Sequence, residues 1–252
     1  MSTNIQDFSG DVQIRGTTFI KANSNTNNLA IGTEAGETGQ GTRTVAIGYY
    51  AGESSQGDNS VAMGQSAGRS QQAARATAVG AGAGQTSQGA YSVAVGHLAG
   101  STGQGTNSVA VGIASGQSNQ GTQSVAMGWF SGAYNQGSSA TALGYGSGLT
   151  SQATFATAVG YNAGQTTQGQ YATAVGVLAG SVDQGESAVA VGHDTGRTSQ
   201  GDAAVAVGYQ AGYTAQGTRS VAVGEDAGRS SQGANAVAVG YLAGEQNQKG
   251  FN

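Results

Sequence analysis

The sequence predicts an all-β chain wound as a parallel β-solenoid, and three observations lead there. A sixteen-residue pattern recurs fourteen times from Leu29 to Asn252 without insertion or deletion. Each copy opens on a triplet of small or β-branched apolar residues with period two, such as Val45-Ala46-Ile47. Glycine, 46 residues with no proline, stands at fixed places in the copy, where it would break a helix every few residues. Sixteen residues cannot hold a strand, a packed helix and two turns, so each repeat is expected to form one coil. Coils hydrogen-bonded at about 4.8 Å make a rod on the order of 65 Å long.

Residues 1–28 fall outside the repeat. Asp11-Val12-Gln13-Ile14-Arg15 and Thr17-Thr18-Phe19-Ile20 read as short strands around Gly16. A terminal coil exposes unpaired backbone, so 1–28 is expected to be a capping segment and 29–252 the solenoid. Within the coil the strand column runs from Leu29-Ala30-Ile31-Gly32 to Val237-Ala238-Val239-Gly240. The columns of Ala30, Gly32, Gly36 and Gln40 are identical in all fourteen copies. The residue after that Gln is Gly in eleven copies, with Ala73, Ala153 and Lys249 as exceptions. These glycines mark corners that need positive φ or close backbone approach. The invariant Gln is expected to form a ladder of stacked amides. The Thr38 column is Ser or Thr in eleven copies, departing at Tyr134, Val182 and Gln246, and reads as a hydroxyl ladder near a corner.

Alternate residues of a strand point to opposite faces, so Val45 and Ile47 face one way and Ala46 the other. Both faces are apolar, as in strands buried on both sides. One face is expected to fill the coil interior and the other an interface between rods packed side by side; the sequence leaves open which is which. The favoured explanation for the unvarying alanine is pressure from neighbouring polypeptides on that flank. If alanine lies inward instead, a continuous stripe of large aliphatics faces out, larger than a soluble monomer usually exposes.

Composition removes several classes. Charged residues are 9% of the chain, against about 25% in a typical protein. With 9 basic and 13 acidic residues, and none of either between Ala76 and Val182, nucleic acid is not a partner. Without cysteine there are no disulfides or thiolate metal sites. No apolar run is long enough for a membrane helix, so no membrane insertion is expected, and the first thirty residues show no secretory signal. Sparse charge predicts assembly that is insensitive to salt.

The column after the fixed Gly32 position is the most variable and most aromatic, carrying Tyr49, Trp129, Tyr145, Tyr161, Tyr209 and Tyr241. As a turn position it is exposed or lies between subunits. Trp129, Phe130, Tyr145 and Tyr161 are therefore the candidate binding residues, suited to glycan stacking or protein contact. Other chemistry reads weakly. Gly80-Ala81-Gly82-Ala83-Gly84 is in phase with the repeat and no helix is expected after it, against a phosphate loop. His97 and His193 share a column but stand six coils apart, roughly 29 Å. Glu186 and Asp202 share a column on adjacent coils, near a retaining-glycosidase separation, yet stacked acids on a polar corner are usually just solvated. No catalytic residue, metal site or cofactor is expected, and the chain is not read as an enzyme. An ice-binding or glycan-binding solenoid is the alternative, with a polysaccharide-active enzyme behind it; ice binding is disfavoured because the Thr38 column mixes Ser with Thr and has no neighbouring Thr rank.

Asn59-Ser60-Val61-Ala62-Met63-Gly64 and Asn107-Ser108-Val109-Ala110-Val111-Gly112 resemble the head repeats of YadA-type trimeric autotransporter adhesins. Similar repeats occur in phage and giant-virus fibre-like proteins. The resemblance spans about 29 to 252. It implies a left-handed β-roll and a homotrimer, in an adhesive or structural fibre that is extracellular on a cell or virion surface. A host matrix protein or glycan is the implied partner besides the chain itself. The sixteen-residue repeat is longer than the family's usual unit, and no stalk, anchor barrel or signal peptide is seen, so a head-type rod alone is expected. End-to-end stacking into filaments is a further expectation, with the last coil docking on the next N-terminal segment.

Overall fold

Short β-branched triplets separated by glycine corners can pair only with their counterparts one repeat away, and they do so throughout the computed structural model, which describes residues 12–14, 17–23 and 26–250. A sixteen-stranded sheet contains β1 (Val12–Ile14), β2 (Thr17–Asn23), β3 (Asn28–Ile31) and one three-residue strand from each later coil, Val45–Ile47 through Val237–Val239. A second, eleven-stranded sheet is built from the segments Ser54–Gln56 through Thr214–Gln216. Isolated bridges extend it, Thr38 to Ser54 at one end and Thr214 to Ser230 to Gln246 at the other. From β3 onward every pairing is parallel and offset by one repeat, as in Val93 with Val109, Ala94 with Ala110 and Val95 with Val111. The result is an all-β parallel solenoid of about thirteen turns with sixteen-residue spacing.

The N-terminal strands run the other way. β2 pairs antiparallel with β3, Ile20 opposite Ile31 and Lys21 opposite Ala30, and β1 pairs antiparallel with β2. Lys21 also forms an ion pair with Glu37 of the first coil. The expected turn at Gly16, the strand ends at Asp11 and Arg15, and the terminal Phe251-Asn252 lie outside the described residues.

The interior is narrow and lined by small groups. The Ala46 column is buried in every coil, and so is the Ala35 column up to Ala227, with Ser115, Ser131, Ser147 and Thr195 in place of alanine and Ala243 of the last coil half-buried. The strand residues Val45 and Ile47, and their equivalents, point outward and are half-buried to exposed; Met63, Met127 and Leu143 are exposed. This corrects the expectation that neighbouring polypeptides press on the alanine flank. Alanine is fixed because it faces its own coil, where the opposite wall leaves no room for a larger side chain.

That opposite wall is the glutamine column. From Gln56 to Gln232 each of these side chains is at most 2% exposed. From Gln56 onward each Nε2 donates to the carbonyl of the residue eleven positions earlier, Gln168 to Thr157 at 2.8 Å for example. From Gln136 to Gln200 each amide also donates to the next one, Gln152 to Gln168 Oε1 at 3.1 Å and Gln168 to Gln184 Oε1 at 3.1 Å. The amide ladder is thus present, with interruptions: the Oε1 atoms of Gln104 and Gln120 have no hydrogen-bond partner among the described residues.

The glycines fit around this core. Gly144 has φ 125°, and a Cβ there would lie 2.5 Å from the carbonyl oxygen of Gly160. Gly148 has φ 53°, and its Cβ would meet Gln152 Oε1 at 2.7 Å. Left-handed backbone is not confined to glycine: the columns of Tyr50, Ser55 and Asn59 also hold positive φ, at 58°, 57° and 57°.

Candidate functional site on an aromatic corner

The turn after each outward-facing strand places the residue following the Gly48-type glycine on an outer corner. Successive coils stack these side chains one above another. Trp129, Tyr145 and Tyr161 therefore form a continuous ladder and are 51%, 43% and 50% exposed. Tyr145 and Tyr161 are nearly parallel, with centroids 5.1 Å apart and 10° between planes. Trp129 meets Tyr145 edge to face at 5.5 Å and 81°. Near-parallel rings at this separation are offset-stacked, and both remain open to solvent. Phe130 sits in the next turn position, with φ 54°, half-buried, and stacks on Trp129 at 5.9 Å and 22°. It belongs to the same cluster but is less open than the ladder itself.

A second aromatic pair was not singled out in the sequence. Phe155 and Tyr171 lie on the other corner, before the outward strand, with centroids 5.3 Å apart and planes at 4°, both exposed. Their spacing of one repeat was the available signal, but that column holds too many residue types to stand out. The coils that carry both aromatic groups hold no charged residue, and the first acids beyond them, Asp183 and Glu186, lie on the coil next to that of Tyr161 and Tyr171.

Charged groups gather toward the two ends and largely satisfy one another. Glu53 lies 2.5 Å from Arg69, holding its guanidinium more firmly protonated, and Arg69 covers the ring of Tyr50 at 4.6 Å. A hydrogen bond with Tyr49 pushes the Tyr50 phenol up. Asp194 is close to Arg197, at 3.2 Å, and to His193, at 3.7 Å, while His193 stacks on Tyr209 at 5.4 Å. The Glu186 and Asp202 carboxylates do not form an acid pair: Asp202 Oδ1 accepts from the Glu186 backbone N–H at 2.9 Å. Among the described residues no group of three His, Asp or Glu stands close enough to hold a metal ion. Gly80, Gly82 and Gly84 all have positive φ in the ordinary corner of the repeat, and no helix follows them. The Ser and Thr rank of the second sheet is broken at Tyr134, which pairs with Ser118 on one side and Thr150 on the other.

The family model for the YadA head domain repeat, two copies to a match, fits residues 87–115, 120–147 and 199–227. No curated protein matches the chain significantly. Each of the three spans contains two consecutive outward strands, and all end on the same buried column, at Ser115, Ser147 and Ala227. The matches thus keep the phase of the coil: these three segments of the parallel β-solenoid match the YadA head domain repeat.

Proposed function

We propose that this protein is a non-enzymatic, adhesive structural rod displayed on a cell or virion surface, assembled as a side-by-side homotrimer. One observation carries the assembly: in every coil the large aliphatics of the first sheet point out of the chain while alanine fills the inside. A stripe of Val, Ile, Leu, Met and Thr along the whole rod favours burial against further copies. The YadA head repeat supports adhesion as the role and three as the number. The antiparallel β1 and β2, laid on the edge of β3, act as the cap of the stack. The last strand, Val237–Val239, ends the sheet at the other side, where it can dock on the N-terminal segment of the next rod and extend it end to end.

The mass of the intact assembly in dilute buffer is the primary test, with three times the 24.6 kDa chain expected. A well-behaved monomer with its aliphatic stripe open to water overturns the proposal. Electron microscopy tests end-to-end stacking through fibres longer than one rod. For adhesion, Trp129, Phe130, Tyr145 and Tyr161 form the proposed contact surface, for an uncharged glycan or a matrix protein. Binding on a glycan and matrix-protein array that survives both Trp129→Ala and Phe130→Ala assigns the contact elsewhere.

A further inference from the structure

We propose that Tyr145 and Tyr161 are the site of an oxidative dityrosine link that staples two consecutive coils. Two described pairs bring tyrosine rings together, Tyr145 with Tyr161 and Tyr49 with Tyr50. The first combines the requirements for coupling. Both rings are open to solvent, so a diffusible oxidant or a peroxidase can reach them. They stack with centroids 5.1 Å apart on neighbouring coils, so two radicals formed there are adjacent and can meet by ring rotation. Trp129, against Tyr145 at 5.5 Å, adds a third oxidisable ring able to pass its hole to the tyrosines. The coils that carry Trp129, Tyr145 and Tyr161 hold no charged residue, and the first acids beyond them, Asp183 and Glu186, stand on the next coil.

The Tyr49 and Tyr50 pair differs in each respect that matters. Its rings, 4.0 Å apart, are tilted by 52° and belong to consecutive residues. Tyr50 is half-buried beneath the Arg69 guanidinium, whose positive charge disfavours electron loss from the ring. Tyr171 stacks on phenylalanine and Tyr209 on histidine, so neither has a coupling partner in its own stack.

The chemistry balances with hydrogen peroxide as oxidant, used through a peroxidase-type one-electron step. Each phenol gives up one electron and its hydroxyl proton to become a phenoxyl radical. The two radicals join through a new carbon–carbon bond between ring positions ortho to the oxygens. Each ring then moves its displaced C–H proton to oxygen and regains aromaticity. Overall two tyrosines lose two hydrogens, and one peroxide becomes two waters. The staple joins residues sixteen apart and opposes separation of the two coils. It depends only on the ring ladder, and holds whether or not that corner binds a ligand.

Treatment of the full chain with peroxidase and hydrogen peroxide tests this. The expected product shows dityrosine fluorescence, a mass lower by two hydrogens, and a linked peptide containing Tyr145 and Tyr161 within one chain. Tyr161→Phe keeps the ring stack and is expected to reduce the intrachain link to background, while Tyr91→Phe leaves the yield unchanged. Links confined to other tyrosines, links only between chains, or a yield unaffected by Tyr161→Phe overturn the proposal.

Discussion

The two sides of one three-residue strand obey different rules. On the inner side alanine never changes, and across the cavity glutamine never changes. On the outer side the same backbone carries Val, Thr or Leu at one position and Val, Ile, Met or Leu at the other. The inner columns are fixed by contacts within one chain, where a single extra methylene meets a buried amide. The outer columns are constrained to be mostly apolar but not to one shape. Strict identity therefore marks the wall of the coil, and loose hydrophobicity marks its outward surface.

Substitution at adjacent residues breaks this comparison most directly. Ala158→Leu adds bulk on the inner side, where Ala158 has no exposed surface and faces Gln168 across Gly164. Overpacking here is expected to cost about 3 kcal/mol or more and to split the rod's cooperative melting. Val159→Leu, one residue on, points outward and is expected to change the stability of the isolated coil by under about 0.5 kcal/mol. Thermal or denaturant melting of the pair reads the difference; equal losses would erase the distinction between the sides.

Removing a rung of the ladder is the next largest effect. Gln168→Leu deletes the donor to Thr157 O and Gln184 Oε1 and the acceptor for Gln152 Nε2. The buried groups left unpaired set an expected cost of about 1–3 kcal/mol. Amide exchange should show the loss concentrated in the coils on either side. An outer change, Val207→Ser, is expected to leave exchange in its own coil nearly unaltered while weakening assembly, which sedimentation reads separately. The opposite pattern, a destabilised coil with assembly intact, would transfer Val207 from the interface to the fold.

Most of the fold was legible because a strict period leaves few alternatives. Fourteen copies placed the strands, the corners and the glutamine ladder, and the parallel register follows from the period itself. The facing of the strand was not legible. Alanine suits a narrow interior and a close interface equally, and only the position of Gln168 and its equivalents decides between them. The left-handed backbone at Tyr50, Ser55 and Asn59 was also hidden, since those columns accept Leu98, Thr167 and Phe155 in the same conformation. Of the candidate site, the exposure of Trp129, Tyr145 and Tyr161 was readable from their turn column. Their mutual stacking was not, because column identity fixes spacing along the rod but not ring orientation. Phe155 and Tyr171 were obscured by the variety of their column.

The smallest expected effect lies on the outermost polar corner and depends on pH. Asp58 Oδ1 accepts from Thr42 N–H at 2.7 Å and from the Thr42 hydroxyl at 3.1 Å. These bonds, the backbone one first, favour the carboxylate and lower its pKa below the ordinary value. A folded-state pKa below the unfolded one means the ionised group stabilises the coil at any pH above about 3.9. That contribution fades as pH falls below this value and is gone once the folded-state pKa has been passed. The site is fully exposed, so the effect is confined to the first two coils and modest. Protection of the Thr42 amide from exchange, relative to its neighbours, should therefore fall on acidification in the native chain. Asp58→Asn keeps an acceptor oxygen without the charge, and its Thr42 protection should be lower at neutral pH and flat across the acid range. If both chains lose protection in parallel, the pH response does not come from Asp58.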